Sequence, residues 1–305
     1  MPSSFRLEHF DATFAARTTP QDWQRILVLR DHPSLLKGLT SYDALIPAYF
    51  SNNLILNKVV TEAWRFQILV YALHLHDTRD PSDPRTGLTY SSLQKICARQ
   101  NIASAGRVSA ILGLMRLGGY VKAQRSALDS RIVHLVPSEK FVMVVEGWNR
   151  CIFQIIDAIT PDARLTACHK EQPGFGREMR RRGAETLLSG WNLLDPFPEV
   201  FHFVSSDGGW MLLLTCIAET VRTSSGGQIA PVAIDLQPFG KRFGVSRSHL
   251  RQLLQSAFEA GLLDAPPRNG AHILLSPQLI ASFLACMASE LGNYRLWGLA
   301  ARDAT

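Results

Sequence analysis

Residues Phe239 to Leu263 read FGKRFGVSRSHLRQLLQSAFEAGLL, and their pattern is that of a helix-turn-helix. Leu236, Phe239 and Phe243 place apolar groups on one face of a short helix. Gly244 suits the left-handed backbone that ends a helix, and Ser246 is a good N-cap for the next one. In that second helix Leu250, Leu253, Leu254, Ala257 and Phe258 follow the spacing of a buried stripe. The opposite face carries Ser248, Arg251, Gln252 and Gln255, with Arg247 and His249 in the first turn. Such side chains hydrogen-bond phosphates and base edges, and a major groove admits their helix. The competing reading is a surface helical hairpin with ordinary charges.

The distribution of charge favours the first reading. The 305-residue chain has a net charge of +6, which alone is a weak pointer to anionic partners. From Pro84 to Leu128 there is no Asp or Glu, yet the stretch holds Arg85, Lys95, Arg99, Arg107, Arg116, Lys122 and Arg125. From Leu236 to Phe258 acids are again absent, beside Lys241, Arg242, Arg247 and Arg251. A solvated face usually mixes both signs, so two acid-free windows suggest a surface that meets phosphates.

Composition bounds the remaining classes. With 46% apolar and 19% charged residues the chain is globular rather than disordered, and its length suggests two domains. Five widely spaced cysteines without a CxxC pair indicate neither a disulfide framework nor a zinc cluster. No charged-then-apolar leader is present and no apolar run approaches membrane-spanning length, so the expectation is a cytoplasmic protein with no membrane partner. No Walker A or dinucleotide glycine pattern occurs and the nine histidines are dispersed; His74 and His76 point to different sides of a helix. The TSSGG stretch at Thr223–Gly227 has the composition of a loop. Neither catalysis, a metal nor a cofactor is expected.

Residues 1–42 are the least readable, although Pro20-Gln21-Asp22-Trp23 opens a helix through Leu29 that would be an arm or a partner-packing element. Residues 43–160 begin with helical pattern from Tyr42 to His76, then a polar turn-rich loop at Asp77–Gly87. Thr89 caps a helix bearing Leu93 and Ile96, and after a turn at Asn101-Ile102 a second helix turns Val108, Ile111, Leu112 and Met115 inward. That helix ends at Gly118-Gly119, a two-stranded hairpin follows, and Pro137-Ser138-Glu139 starts a long helix through Ile159. Residues 161–192 form a basic linker whose run Arg177–Arg182 either contacts phosphates or lies on a solvated helix. In 193–305 the earlier order returns. Trp64 matches Trp210, Arg99 matches Arg242, Val108, Ile111 and Leu112 match Leu250, Leu253 and Leu254, and Leu135-x-Pro137 matches Leu275-x-Pro277. Ordered matches of this kind indicate an internal duplication of roughly 145 residues. A second hairpin, tip Pro266–Gly270, precedes a C-terminal helix with Ile280, Phe283, Leu284, Met287 and Leu291 as its stripe.

Helix, helix-turn-helix and two-stranded wing, flanked by long helices, is the layout of a winged-helix domain. The first half resembles the MarR family of bacterial regulators through Leu88-Thr89, Leu117-Gly118-Gly119-Tyr120-Val121, Asp129-Ser130-Arg131 and Leu135-x-Pro137-Ser138. The resemblance covers about 65–165 and 210–290. It implies a mainly α fold with small β-hairpin wings (α+β), here two tandem winged-helix domains forming a pseudo-dimer within one chain. It also implies that Arg131 enters a minor groove with Asp129 positioning it. The second wing lacks Asp-x-Arg, and Arg268 or His272 stands in its place.

The implied function is a sequence-specific, double-stranded DNA-binding transcriptional regulator, acting as a monomeric pseudo-dimer or a homodimer. Ser246, Arg247, Ser248, His249, Arg251 and Gln252 would read bases. Lys95, Arg99, Lys122, Arg125, Arg131, Lys241, Arg242 and Arg268 would anchor phosphates or the minor groove. In the first half the outward positions are Gly106, Arg107, Ser109, Ala110 and Gly113, so that helix either lies on the sugar-phosphate backbone or packs against another helix. The family also implies a small-molecule effector, with Trp64, Tyr71, Trp148 and Trp210 as candidate pocket residues, although aromatic stripes are more often core. The rival reading is a winged-helix assembly module that binds protein with weak or no DNA contact.

Overall fold

Leu279 to Ala288 are buried without interruption. A helix apolar on every side belongs in the interior, because no face is left for water. The protein, described by a computed structural model over residues 7–51, 53–60, 62–224, 228–268 and 272–305, is built round that C-terminal helix.

A 3-10 turn at Leu7–Phe10 leads into α1 (Asp11–Ala15) and α2 (Pro20–Arg30). Thr19 accepts the Asp22 N–H at the start of α2, and Pro20 fills the first helical position, where no N–H is needed. Next are α3 (Ser34–Phe50), α4 (Leu54–Val60) and α5 (Ala63–Asp77). They are followed by α6 (Tyr90–Arg99), α7 (Ala105–Leu117), β1 (Val121–Arg125), β2 (Val133–Pro137) and α8 (Glu139–Ile159). Two connecting helices, α9 (Leu165–Glu171) and α10 (Phe175–Leu188), lead to α11 (Pro198–Val204) and α12 (Gly209–Thr223). The chain closes with α13 (Leu236–Phe243), α14 (Arg247–Glu259) and α15 (Pro277–Arg302). The result is mainly helical, with one small antiparallel sheet, β1–β2, among the described residues.

The order of helix, helix pair, hairpin region and long helix occurs in α5–α8 and in α12–α15. The two hairpin regions differ. β1 and β2 pair from Val121↔Pro137 to Arg125↔Val133. Among the described residues the expected second hairpin pairs through an isolated bridge, Leu263 to Leu275, and Val232 bridges Ile273 beside it. Pro266 and Pro267 have no N–H to give a ladder, so regular pairing stops short of them. The tip residues Asn269 and Gly270, and Ser225–Gly227 of the TSSGG stretch, lie outside the described residues.

α15 packs on α2, α8, α9, α10 and α11, while α3 packs on both α8 and α12. The buried apolar residues of both halves therefore merge into one cluster. α2, expected as an arm or partner-packing element, meets its partner inside the chain, with Trp23, Ile26 and Leu29 buried. Glu199, 6% exposed, accepts hydrogen bonds from Arg17, Gln278 and Ser282, and so ties the N-terminal helices and α11 to α15. The basic run on α10 is largely neutralised. Arg180 pairs with Asp77 and Glu146, Arg181 with Glu178 and Glu185, and Arg182 with Glu178. All five cysteines are buried and free.

Candidate nucleic-acid interface

The second helix pair has the local chemistry its sequence demands. α13 ends at Gly244, whose φ of 72° is left-handed, and Ser246 Oγ accepts the His249 N–H at 3.1 Å to start α14. Gly240 allows the tight turn between them: a Cβ there would lie 2.3 Å from the Val245 carbonyl oxygen. Leu250, Leu253, Leu254 and Ala257 face the core. Arg247, Ser248, Arg251, Gln252 and Gln255 are exposed on the other side. His249 departs from that outward face: it is half-buried and its Nε2 is enclosed without an acceptor or donor among the described residues. Lys241 and Arg268 are exposed. Arg242 is also exposed, but its Nε donates to Ser51 at 2.6 Å and its guanidinium lies over the Phe243 ring, which turns it toward the first half of the chain.

In the first half Thr89 and Ser92 form a reciprocal cap on α6, Asn101 takes the left-handed turn position at φ 52°, and Ser104 caps α7. The outward face of α7 is smooth: Cβ atoms added at Gly106 or Gly113 would meet nothing within 4 Å. Ser109 is half-buried, and its hydroxyl accepts a hydrogen bond from Gln94 of α6 at 3.0 Å. Arg107 is exposed with its guanidinium 5.6 Å from the Trp64 ring centroid. Lys95 and Arg99 are exposed on α6, and Lys122 and Arg125 on β1.

At the hairpin tip Asp129 grips Arg131 from two sides. Oδ1 accepts from the Arg131 backbone N–H and Nε, at 3.0 and 3.1 Å, and Oδ2 accepts from the other guanidinium edge at 3.1 Å. Hydrogen bonds from Arg131 hold the Asp129 carboxyl below its usual range. The Arg131 side chain is nevertheless 90% exposed. It is a charge held in one orientation while projecting into solvent.

The electrostatic contrast across the molecule is plain. All seven cations of the first acid-free window are exposed, and none forms an ion pair with a described residue. Lys241 and Arg247 of the second window behave in the same way. Arg85 and Arg116, which the window contains but no motif singles out, are exposed in the same way. Arg180, Arg181 and Arg182 of α10, by contrast, are paired with neighbouring carboxylates.

One element between the two helix pairs was not legible beforehand. α4 packs on α7, and near its start Asn53 exchanges hydrogen bonds with the Tyr120 hydroxyl. Farther along, buried Asn57 donates to the Phe243 carbonyl at the end of α13. Lys58 and Arg65 both pair with Asp207, at 2.6 and 2.7 Å. Burial raises the Asp207 pKa, but the two cations outweigh it and leave the carboxyl below its ordinary value. The only sequence signal was a polar Asn57 inside the apolar run LILNKVV.

Of the four aromatic residues considered for a pocket, Trp148 and Trp210 line a cavity of about 240 Å³, whereas Trp64 lies under Arg65 and Arg107 and Tyr71 is in the core. Among the described residues no group of three or more His, Cys, Asp or Glu is placed to hold a metal ion, and no helix is long and apolar enough to cross a membrane. No protein-family model, curated protein or solved structure matches this chain.

Proposed function

We propose that the chain is a double-stranded DNA-binding transcriptional regulator composed of two winged-helix units in tandem, with no catalytic role. The observation that carries this reading is the set of exposed cations on α6, α7 and β1 that form no ion pair with a described residue, together with Lys241 and Arg247 on the second helix pair. Cations left without carboxylate partners are available to displace the counterions of a duplex. Arg131, oriented by Asp129 at the hairpin tip, suits insertion into a narrow and electronegative minor groove. α14 offers Arg247, Ser248, Arg251 and Gln252 to base edges, the residue types that discriminate bases in a major groove.

A protein-binding role has one observation in its favour, confined to the first half. The face of α7 is glycine- and alanine-smooth, and Leu117 and Leu128 are 77% and 61% exposed. Arg247→Ala combined with Arg251→Ala separates the two roles. Both side chains are exposed, so the variant should keep its fold. Under the DNA reading it loses duplex binding; duplex binding at the wild-type level would leave the protein-binding role in possession.

A further inference from the structure

The cavity lies among α5, α8, α10, α12 and α15, so both halves of the chain contribute to its wall. Its lining is strongly aromatic, with Phe66, Trp148, Trp210, Tyr294 and Trp297 around it. At about 240 Å³ it approaches the roughly 300 Å³ at which small-molecule sites begin.

Two carboxyl groups and one guanidinium lie in the wall, and two of these three are already paired. Glu62 is bound to Arg65 at 2.8 Å, and Arg180 to Asp77 and Glu146. The third, Glu290, makes no hydrogen bond or ion pair with any described residue. It is half-buried and lines the cavity. Burial pushes its carboxyl up to about 7.

We infer that this cavity is a binding site for a small organic cation, a protonated amine on an apolar or aromatic body. Its ammonium would pair with Glu290, and its body would lie against the tryptophan faces. Aromatic faces attract cations through the ring quadrupole, and the attraction is greater where water is excluded. The carboxylate supplies the charge that an apolar cavity would otherwise lack, so a neutral molecule of the same shape gains less. This assignment is independent of DNA binding and is measured on the chain alone.

The test is calorimetric titration of the full chain with 2-phenylethylamine and tryptamine, with 2-phenylethanol as the neutral counterpart. At least one of the two amines is expected to bind the wild type, and Glu290→Gln to weaken it about tenfold or more, while the alcohol is unaffected. Near neutral pH, amine binding also ionises Glu290, so titrations in buffers of different ionisation enthalpy should show proton release that the alcohol does not cause. Glu290→Asp, which withdraws the carboxylate but keeps its charge, provides a second variant should the glutamine fail to fold. Failure of both amines to bind, equal binding of amine and alcohol, or an amine affinity indifferent to both substitutions would overturn the assignment.

Discussion

Glu290 makes a quantitative prediction about stability that needs no ligand. Its carboxyl ionises at an ordinary 4.5 in the unfolded chain and at about 7 in the folded one. Because the folded value is raised, the unfolded chain loses this proton first as pH rises, and stability falls through the interval between the two values. Full ionisation costs about 3 kcal/mol on this shift, and screening at a half-buried group brings the cost to about 2 kcal/mol. Glutamine has the same shape and no charge, so Glu290→Gln should approach the wild type in stability near pH 4.5. Its relative stability should rise by about 2 kcal/mol between about pH 5 and pH 8. Tyr42, Tyr294 and Cys286 face the carboxyl, and burial pushes all three up, so they stay neutral over this range. His74, His76, His134 and His202 are held low by burial and contribute equally to both proteins, so the difference isolates Glu290. Urea unfolding of both proteins across that range is the assay. Parallel stability curves would show that the carboxyl is solvated, and the argument from its burial would be wrong.

Other substitutions test the fold and the surface. Gly240→Ala forces a Cβ to within 2.3 Å of a backbone oxygen and should destabilise the chain by about 3 kcal/mol, whereas Gly113→Ala, open on every side, should stabilise it by up to about 1 kcal/mol in thermal unfolding. At Glu199 burial raises the pKa, but hydrogen bonds from its own backbone N–H, Arg17, Gln278 and Ser282 outweigh it, so its stabilisation is present above the ordinary value and lost as pH falls through the depressed one. Glu199→Gln should therefore cost about 2 kcal/mol near neutral pH and progressively less in acid, as read by chemical unfolding. Selection from random duplexes should return an asymmetric site, sharper in the half read by α14 than in the half facing α7; a perfect palindrome would contradict the different chemistry of the two faces.

The parts of the fold that were legible are those decided by neighbours in sequence. Gly244 and Ser246 end one helix and begin the next through their own backbone and hydroxyl, and Ser138 does the same for α8. The acid-free windows were equally readable, because a run of exposed cations without acids is a property of the sequence itself. What depended on distant partners was not. Ser109 looked available until Gln94, fifteen residues away, took its hydroxyl. Arg242 was drawn to Ser51 across 191 residues. Glu290 sat in an apolar helix as an isolated acid, and only the meeting of five helices showed that it faces a cavity. At the second hairpin the two arms pair at Leu263 and Leu275, and Pro266 and Pro267 withhold the donors a longer ladder would need.

The most direct test of the DNA reading is affinity for random-sequence duplex DNA between about 50 and 200 mM salt, where a protein contacting many phosphates weakens steeply. The wild type should show a steep logarithmic slope, and joint replacement of the exposed cations Lys95, Arg99 and Lys122 by alanine should flatten it by about 2 to 3 as three phosphate contacts are lost. Absence of binding at the lowest salt, or a slope unchanged by the triple substitution, would mean that the basic surface does not serve DNA.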